Sequence, residues 1–393
     1  MFYRNLFFRS FIIFLLIQIA FHYSGSESLK LLLYIFEIIF VFISLNYAIQ
    51  KVSNVTKKFT YLIVFLISIS ITFYINEHNK IDDVFKIFGG IVIYIATYYL
   101  YNFELEISRR TQIIVAIITI LPLFVLGIDK YIGFQESTKS MSIFTNSNNY
   151  MLYSICCVWL MMIYNFSIKM IIVFLVICVS ITSTLGALLS LLVAIIYYYR
   201  HKKFNVRYVF ISIFLLLTLI YFLIFSDLYI FEKLRSSGNV FLALTNSNNV
   251  GNLSNVSFDD ALAVSDSDDG SDLSFLFRIK IWTEIIEYLF DQDFFYLVFG
   301  SGFGSVPKIN SFGLVAHNDY LTWLVDLGIS GFLLIVYGVW SSFSKLSKTY
   351  FIIPYLTILI YFFTENLFYN FFAVMLFSFC LAATEKKLKS KTI

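Results

Sequence analysis

Charged residues and prolines are scarce in this chain of 393 residues. Only 13% of the residues are charged and three are proline, whereas 59% are hydrophobic and 20% are aromatic. Soluble domains are about 25% charged, and a soluble protein of this composition would expose large apolar patches to water. The composition therefore excludes a soluble globular enzyme, a disordered chain and a collagen-like repeat. The net charge of +3 is too small and too dispersed to predict nucleic acid as a partner.

Cysteine is also rare, and its placement excludes a disulfide-stabilised scaffold. The cysteines lie inside apolar runs, which is typical of packing residues and not of bridges or metal ligands. They are Cys156, Cys157, Cys178 and Cys380. The chain also lacks a phosphate-binding loop of the type that precedes a helix in nucleotide-binding folds. The sequence thus predicts neither a metal nor a cofactor.

Long apolar runs are the main feature that the chain does have. A helix that crosses a membrane needs about 20 mostly apolar residues. The runs predict an all-α fold: a polytopic membrane helical bundle of about twelve transmembrane helices, with one large outer loop between helices nine and ten. The predicted helices cover 6–21, 29–50, 59–76, 84–102, 110–128, 150–166, 168–183, 185–199, 207–226, 317–341, 350–364 and 366–384.

The basic residues predict how these helices are oriented. Of the 28 lysines and arginines, 18 lie at the termini and in alternate short loops, on one set of sides. Cytoplasmic loops are enriched in these residues, so both termini are predicted to lie inside the cell. The count requires a break in the apolar run 168–199, which as one helix would be about 48 Å long. We place that break at 182–186, the sequence Thr-Ser-Thr-Leu-Gly.

Three regions follow from this topology. Residues 1–226 form the first nine helices, residues 227–316 form the outer loop, and residues 317–393 form the last three helices with a basic tail. Within the loop, residues 245–274 are rich in Asn, Ser and Asp with little to bury, which predicts a mobile segment. Its acidic run resembles a calcium-binding loop, but Phe277 stands where the last ligand should be a glutamate, so an acidic linker is favoured.

The end of the loop predicts an amphipathic helix over 278–291 that lies on the outer leaflet. Its apolar face carries Trp282, Ile285, Ile286, Leu289 and Phe290, and its polar face carries Lys280, Glu284, Glu287 and Asp291. Arg278 lies on the apolar side, about 40° around the helix from Trp282. An arginine there must reach a buried acid or an anionic head group. The alternative is that it extends to the membrane interface.

A histidine marks the start of the tenth predicted helix. His317 stands in the run Ala-His-Asn-Asp-Tyr of 316–320 and is one of four histidines in the chain. The positive end of a helix dipole disfavours imidazolium, so we expect a neutral side chain that can accept a proton. The alternative is a structural histidine at the membrane edge. Glu37, an acid within the second predicted helix, is a further functional candidate for which the sequence offers no partner.

A run of glycines separates the amphipathic helix from His317. It contains Gly300, Gly302 and Gly304. The favoured interpretation is a tight turn that returns the loop to the membrane, because no βαβ unit surrounds the run. Close approach of the backbone to an anionic lipid head group is the alternative.

Together these features resemble the bacterial O-antigen ligase and polymerase superfamily. Its members have many membrane helices, a large outer loop late in the chain, a loop arginine and a His-Asn pair that opens the next helix. The matching stretches here are 277–305 and 316–332, and the residues that fit the pattern are Arg278, Trp282, Gly300, Gly302, Gly304, His317, Asn318, Gly328 and Gly331. Residues 142–149 are weakly similar to the family's Phe-x-Asn-x-Asn helix start. In 182–187, Leu185 stands where many members have an arginine that is thought to grip the diphosphate.

The resemblance implies a glycosyltransferase at the periplasmic face of the bacterial inner membrane, with an undecaprenyl-diphosphate-linked oligosaccharide as donor. It implies that His317 accepts the proton of the acceptor hydroxyl and that Arg278 stabilises charge on the diphosphate. The substrate-binding residues expected beside them are Asn318, Trp282, Gly302, Gly304 and Tyr320.

An O-antigen or related polysaccharide polymerase is the function that we favour. The alternatives are an O-antigen ligase, which passes the chain to the lipid A core, and a polysaccharide flippase or other transporter. Transporters tend to show repeated halves, and no such similarity is evident between the two halves of this chain. Membrane lipids, a chain-length regulator and a flippase are the further partners that a polymerase would have.

Overall fold

Helices form every regular element in the part of the chain that the structure, a computed structural model, describes. That part comprises residues 12–20, 81–100, 109–132, 147–182, 184–200, 274–367 and 370–390, with four short stretches between 28 and 39. The helices are α1 (Ile81–Leu100), α2 (Arg109–Ile132), α3 (Ser147–Ile163), α4 (Ile168–Thr182), α5 (Leu185–Arg200), α6 (Ser274–Asp291), α7 (Phe294–Phe299), α8 (Val306–Ile309), α9 (Asp319–Leu346), α10 (Ile352–Tyr361) and α11 (Phe371–Ser390). Residues 12–20 are also helical. This architecture agrees with the all-α fold expected from the sequence.

One helix within the described ranges, α9, is long and apolar enough to cross a membrane by itself. Shorter apolar helices occur at Phe88–Tyr98, Asn148–Ile163, Gly186–Arg200 and Ile352–Tyr361. The predicted helices 59–76 and 207–226 lie outside the described residues, as do Glu37 and all but the last residue of the segment 245–274. The count of twelve membrane helices therefore stays a prediction.

Two helix boundaries test the sequence reasoning directly. The predicted break within 182–186 is confirmed, because α4 ends at Thr182 and α5 begins at Leu185. The start of the tenth predicted helix is wrong by two residues, because α9 begins at Asp319 and His317 precedes it. Asn318 is the reason: its side chain accepts a hydrogen bond from the backbone N–H of Leu321 at 3.1 Å and so caps the helix.

The core of the bundle is built around α3, which packs against α2, α4, α10 and α11. Nearly every residue of α3 is buried, as expected for a helix that is apolar on all sides and surrounded by other helices. Two of its large buried side chains form hydrogen bonds to neighbouring helices: the indole N–H of Trp159 donates to Oγ1 of Thr384 on α11 at 2.9 Å, and the hydroxyl of Tyr153 donates to the carbonyl of Ile118 on α2 at 2.7 Å. The four cysteines are all buried and free.

A buried carboxylate joins α9 to α11 near the end of both helices. The side chain of Glu385 is 2% exposed. One of its carboxylate oxygens accepts a hydrogen bond from Nζ of Lys345 at 2.6 Å. The hydroxyl of Ser342 donates to the other oxygen at 2.7 Å. Both oxygens of this buried acid are therefore paired, which is the condition for burying a charge at acceptable cost.

One part of the apolar face of α6 is buried against the protein, and the other part is exposed. Ile281 and Ile285 are fully buried in a small outer cluster. The other buried members of that cluster are Val306, Ala316 and Val325. Ile286 and Phe290 point away from it and are 44% and 85% exposed. One part of the predicted apolar stripe thus anchors α6 to the protein, and the other part is free to contact a membrane.

Candidate functional site

One buried carboxylate contacts both of the basic residues that the sequence singled out. Oε1 of Glu365 lies 2.7 Å from Nη2 of Arg278, and its Oε2 lies 3.1 Å from Nδ1 of His317. The side chain of Glu365 is 7% exposed, whereas those of Arg278 and His317 are 24% and 33% exposed. The acid therefore forms the floor of the site, and the two basic groups lie on its open side.

The turn between α10 and α11 places Glu365. α10 ends at Tyr361, and the chain then packs onto the first turn of α9. The backbone N–H of Asp319 donates to the carbonyl of Phe362 at 2.8 Å, and the N–H of Leu367 donates to Oδ2 of Asp319 at 2.8 Å. Because these bonds lie on either side of Glu365, the turn is tied to the helix that follows His317.

Helix α6 positions Arg278 and is itself tied to the site through Trp282. The indole N–H of Trp282 donates to the carbonyl of Ala316 at 2.6 Å, and its ring meets that of Phe363 edge-on at 5.7 Å. Nε of Arg278 is buried and has no hydrogen-bond partner among the described residues. Within the described ranges the guanidinium is paired through Nη2. The outer N–H groups of an arginine are the donors that it offers to a phosphate.

His317 has an unusual backbone conformation for a residue with a side chain. Its φ is 49°, in the left-handed region that disfavours most residues other than glycine. Its Nδ1 faces Glu365, and an ionised carboxylate can only accept. In the tautomer that donates from Nδ1 to this carboxylate, Nε2 is the acceptor nitrogen of the ring. The role of proton acceptor expected from the sequence stays a prediction.

The glycine run forms a turn whose backbone amides bond to α9. Gly302 N–H donates to the carbonyl of Asp326 at 3.2 Å, and Gly304 N–H donates to Oδ2 of that residue at 3.3 Å. The N–H of Ser305 adds a bond to Oδ1 at 3.4 Å. Asp326 is fully buried. In this conformation the amides of Gly302 and Gly304 are used by the protein, as the interpretation of a tight structural turn requires.

The remaining predicted substrate-binding residues lie in the first turns of α9. Asn318 adjoins His317 and caps the helix. Tyr320 is directed toward α10, where its hydroxyl donates to the carbonyl of Leu359 at 2.8 Å. Of the predicted set, Trp282 and Asn318 therefore lie beside the Arg278–Glu365–His317 cluster. Gly302, Gly304 and Tyr320 contact other parts of the protein.

The two segments that resemble the family more weakly, 142–149 and 182–187, both contact the end of α10 or the turn that follows it. The side chain of Asn148 at the start of α3 accepts from the hydroxyl of Tyr361 at 2.8 Å. Gly186 lies so close to the turn before Glu365 that an added Cβ would be 2.9 Å from Oγ1 of Thr364. The tertiary structure thus gathers segments near residues 148, 186, 278, 317 and 365 into one region.

Glu365 is the functional candidate that the sequence reasoning missed. It is the single charged residue between Lys348 and Glu385, in a stretch that was interpreted as two apolar helices. Acids within membrane segments are functional candidates by default. Glu365 falls between the predicted helices 350–364 and 366–384, so the rule selects Glu37 and not Glu365. The signal for Glu365 in the sequence is the arginine on the apolar side of α6, which is expected to need a buried acid.

Comparison with known protein families agrees with the resemblance described above. Residues 166–336 match the family model described as O-antigen ligase. The matched segment supports the O-antigen ligase and polymerase superfamily, and it contains Arg278 and His317 but ends before Glu365. A search of curated proteins found no match.

Proposed function

From the superfamily to which residues 166–336 are matched, we propose that the protein is a polymerase of O-antigen or a related surface polysaccharide. It joins undecaprenyl-diphosphate-linked oligosaccharides at the periplasmic face of the inner membrane. The observation that supports this most directly is the convergence of Arg278 and His317 on Glu365. A transporter has no need of an oriented proton acceptor beside a phosphate-binding cation, so this cluster favours an enzyme.

The reaction that suits the cluster is displacement of the lipid diphosphate by a sugar hydroxyl. The acceptor oxygen forms a bond to the anomeric carbon as the bond between that carbon and the diphosphate oxygen breaks. The electron pair leaves with the diphosphate, and the hydroxyl proton passes to Nε2 of His317. Glu365 orients the imidazole and stabilises the imidazolium that forms, as the carboxylate of a catalytic triad does.

Arg278 is suited to the other side of the same reaction. The diphosphate gains negative charge as it leaves, and fixed N–H donors stabilise charge that develops in the transition state. Arg278 is held by Glu365 through Nη2, which leaves the other edge of the guanidinium for phosphate oxygens. The chain has Leu185 where many relatives carry a second arginine. Arg278 therefore provides a larger share of the charge stabilisation on the leaving diphosphate.

An O-antigen ligase is the second candidate, because the matching family model is described by that activity. The two reactions share the donor and the chemistry, and they differ in the acceptor. A polymerase takes another lipid-linked repeat, and a ligase takes the lipid A core. Leu185 in place of the family arginine is the sequence feature that distinguishes this chain from many ligases.

Deleting the gene and separating the surface polysaccharide on a gel tests the proposal. Loss of a polymerase leaves the core with a single repeat. Loss of a ligase leaves the core alone, with polymer held on the carrier lipid, and loss of a flippase strands single repeats on the inner leaflet. Either of the last two patterns would contradict the proposed polymerase.

Complementing the deletion with point variants then tests the cluster. His317→Ala should lower the rate by about 10²–10⁴. Glu365→Gln should be comparably damaging, because an amide can donate to Nδ1 and so favour the tautomer whose Nε2 carries the proton. Glu284→Gln is the matched control: this acid lies on α6 and bonds to Ser311, away from the cluster. Polymer of normal length from His317→Ala would refute this mechanism.

A further inference from the structure

The strained backbone of His317 requires support from its neighbours. A non-glycine residue in the left-handed region persists only where the surrounding structure holds it there. The peptide groups on both sides of His317 are bonded. The carbonyl of Ala316 accepts from Trp282 at 2.6 Å, and the N–H of Asn318 donates to Oδ1 of Asn366 at 3.0 Å.

Asn366 uses both ends of its amide to hold α9. While Oδ1 accepts from Asn318, Nδ2 donates to the hydroxyl of Thr322 at 2.8 Å and lies 3.5 Å from Oδ1 of Asp319. Asn318, Asp319 and Thr322 are all buried. The asparagine amide suits this position because it offers an acceptor atom and a separate donor atom on a short side chain.

The position of Asn366 in the chain links these bonds to the carboxylate that contacts His317. It follows Glu365 directly, so the same residue that fixes the backbone after His317 also fixes the turn that carries the carboxylate. His317 and Glu365 are 48 residues apart in sequence, yet their bonded atoms are 3.1 Å apart. Asn366 joins the same two segments through its own hydrogen bonds.

We infer that Asn366 is a positioning residue: it sets the distance and direction between Nδ1 of His317 and the carboxylate of Glu365. This inference rests on the proposed function, because it concerns the efficiency of His317 as a proton acceptor. The hydrogen bonds of Asn366 go to Asn318, Asp319 and Thr322, so it acts on the imidazole through the backbone.

The test uses the purified full-length enzyme in lipid nanodiscs with an undecaprenyl-diphosphate-linked repeat as donor and acceptor. Asn366→Leu removes these hydrogen bonds while keeping the number and branching of the side-chain heavy atoms. A displacement of about 1 Å at a reacting group lowers the rate by about 10². We therefore expect kcat to fall by about 10², with KM for the donor changed by less than about twofold because Arg278 still binds the diphosphate.

Asn370→Leu is the matched control. Asn370 lies just after the same turn, and its side chain accepts from the N–H of Ala373 at 3.1 Å, so this variant loses a helix-capping bond without touching the cluster. Its kcat should stay within about twofold of the parent enzyme. An equal fall in kcat for both asparagine variants would show a general loss of structure and overturn the inference.

Coupling to Glu365 provides the readout that a purely structural role would not change. In a Glu365→Gln background, Asn366→Leu should lower kcat by less than about threefold, because the geometry that it protects is already lost. Multiplicative losses would contradict a positioning role. Asn366→Ser serves as a second variant. Failure of both Asn366 variants to fold, with Asn370→Leu folded, would make the residue structural and overturn the inference.

The outcome is separable from that of the proposed function. If His317→Ala and Glu365→Gln keep normal activity, the proposed mechanism fails whatever Asn366 does. If those two variants lose activity and Asn366→Leu does not, only the positioning role fails.

Discussion

Gly300 and Gly328 cross so closely that the backbone of each fills the space where a side chain on the other would begin. A Cβ on Gly300 would lie 2.5 Å from the backbone nitrogen of Gly328, and one on Gly328 would lie 2.5 Å from the carbonyl oxygen of Val298. Both residues have positive φ, 85° and 64°. The crossing locks the turn after α7 onto α9 at the point where the path of α9 is broken.

Alanine at either crossing glycine should therefore destabilise the protein strongly. Gly300→Ala and Gly328→Ala combine backbone strain with a steric clash, and we expect each to cost about 3 kcal/mol or more. Gly313→Ala is the control, because Gly313 has φ of 64° but its Cβ would meet nothing closer than the carbonyl of Pro307 at 3.8 Å. It should cost about 1 kcal/mol. Thermal melting in detergent measures all three, and equal shifts would contradict the crossing.

The buried pair of Lys345 and Glu385 predicts a non-additive response to substitution. Lys345→Met removes the cation paired with the buried carboxylate of Glu385, so we expect a loss of about 1–3 kcal/mol. Adding Glu385→Gln removes the buried charge and should restore most of the stability, since the amide oxygen can still accept from Ser342. Melting temperatures of the single and double variants measure the coupling.

Lys348→Met is the control for that pair. Lys348 lies one turn further along the chain, is exposed, and forms no ion pair within the described residues. Its replacement should change the stability by less than about 0.5 kcal/mol. A double variant that is less stable than Lys345→Met alone would contradict the buried charge of Glu385, left without its cation, as the cause of the loss.

Replacing Arg278 by lysine should be nearly as damaging to activity as replacing it by alanine. Lysine keeps the charge but loses the planar group that can bond to Glu365 on one edge and to phosphate oxygens on the other. Polymer length on gels measures the effect, with Lys280→Ala, two residues along α6, as the control. Near-normal polymer from Arg278→Lys would mean that a point charge suffices and that the diphosphate is not gripped by two donors.

The orientation in the membrane is tested by cysteine labelling. The four native cysteines are buried and should not react, so Ser267→Cys and Ser390→Cys can be introduced into the natural chain. A membrane-impermeant maleimide should label position 267 in intact spheroplasts and position 390 only after permeabilisation. Labelling of position 390 in intact spheroplasts would reverse the predicted topology.

Local sequence pattern was enough to predict that the described residues are helical, and it singled out two residues of the candidate site. Long apolar runs define helices wherever they occur, and the surplus length of 168–199 required the break between Thr182 and Leu185. Arg278 was identified because a cation on the apolar side of a helix needs a partner. His317 was identified because the positive end of a helix dipole disfavours imidazolium in a histidine at the helix start. Each of these inferences uses only residues within a few helical turns of the residue concerned.

Only the tertiary structure decided what those residues contact. Glu365 is 87 residues from Arg278 and 48 from His317 in sequence, and no periodicity connects positions so far apart. The amides of the glycine run likewise met Asp326, a partner on α9 that the turn itself does not specify. A buried carboxylate must be paired wherever it lies, but which cation and which amide reach it depends on how the helices pack. Sequence therefore determined which residues needed partners, and packing determined who the partners are.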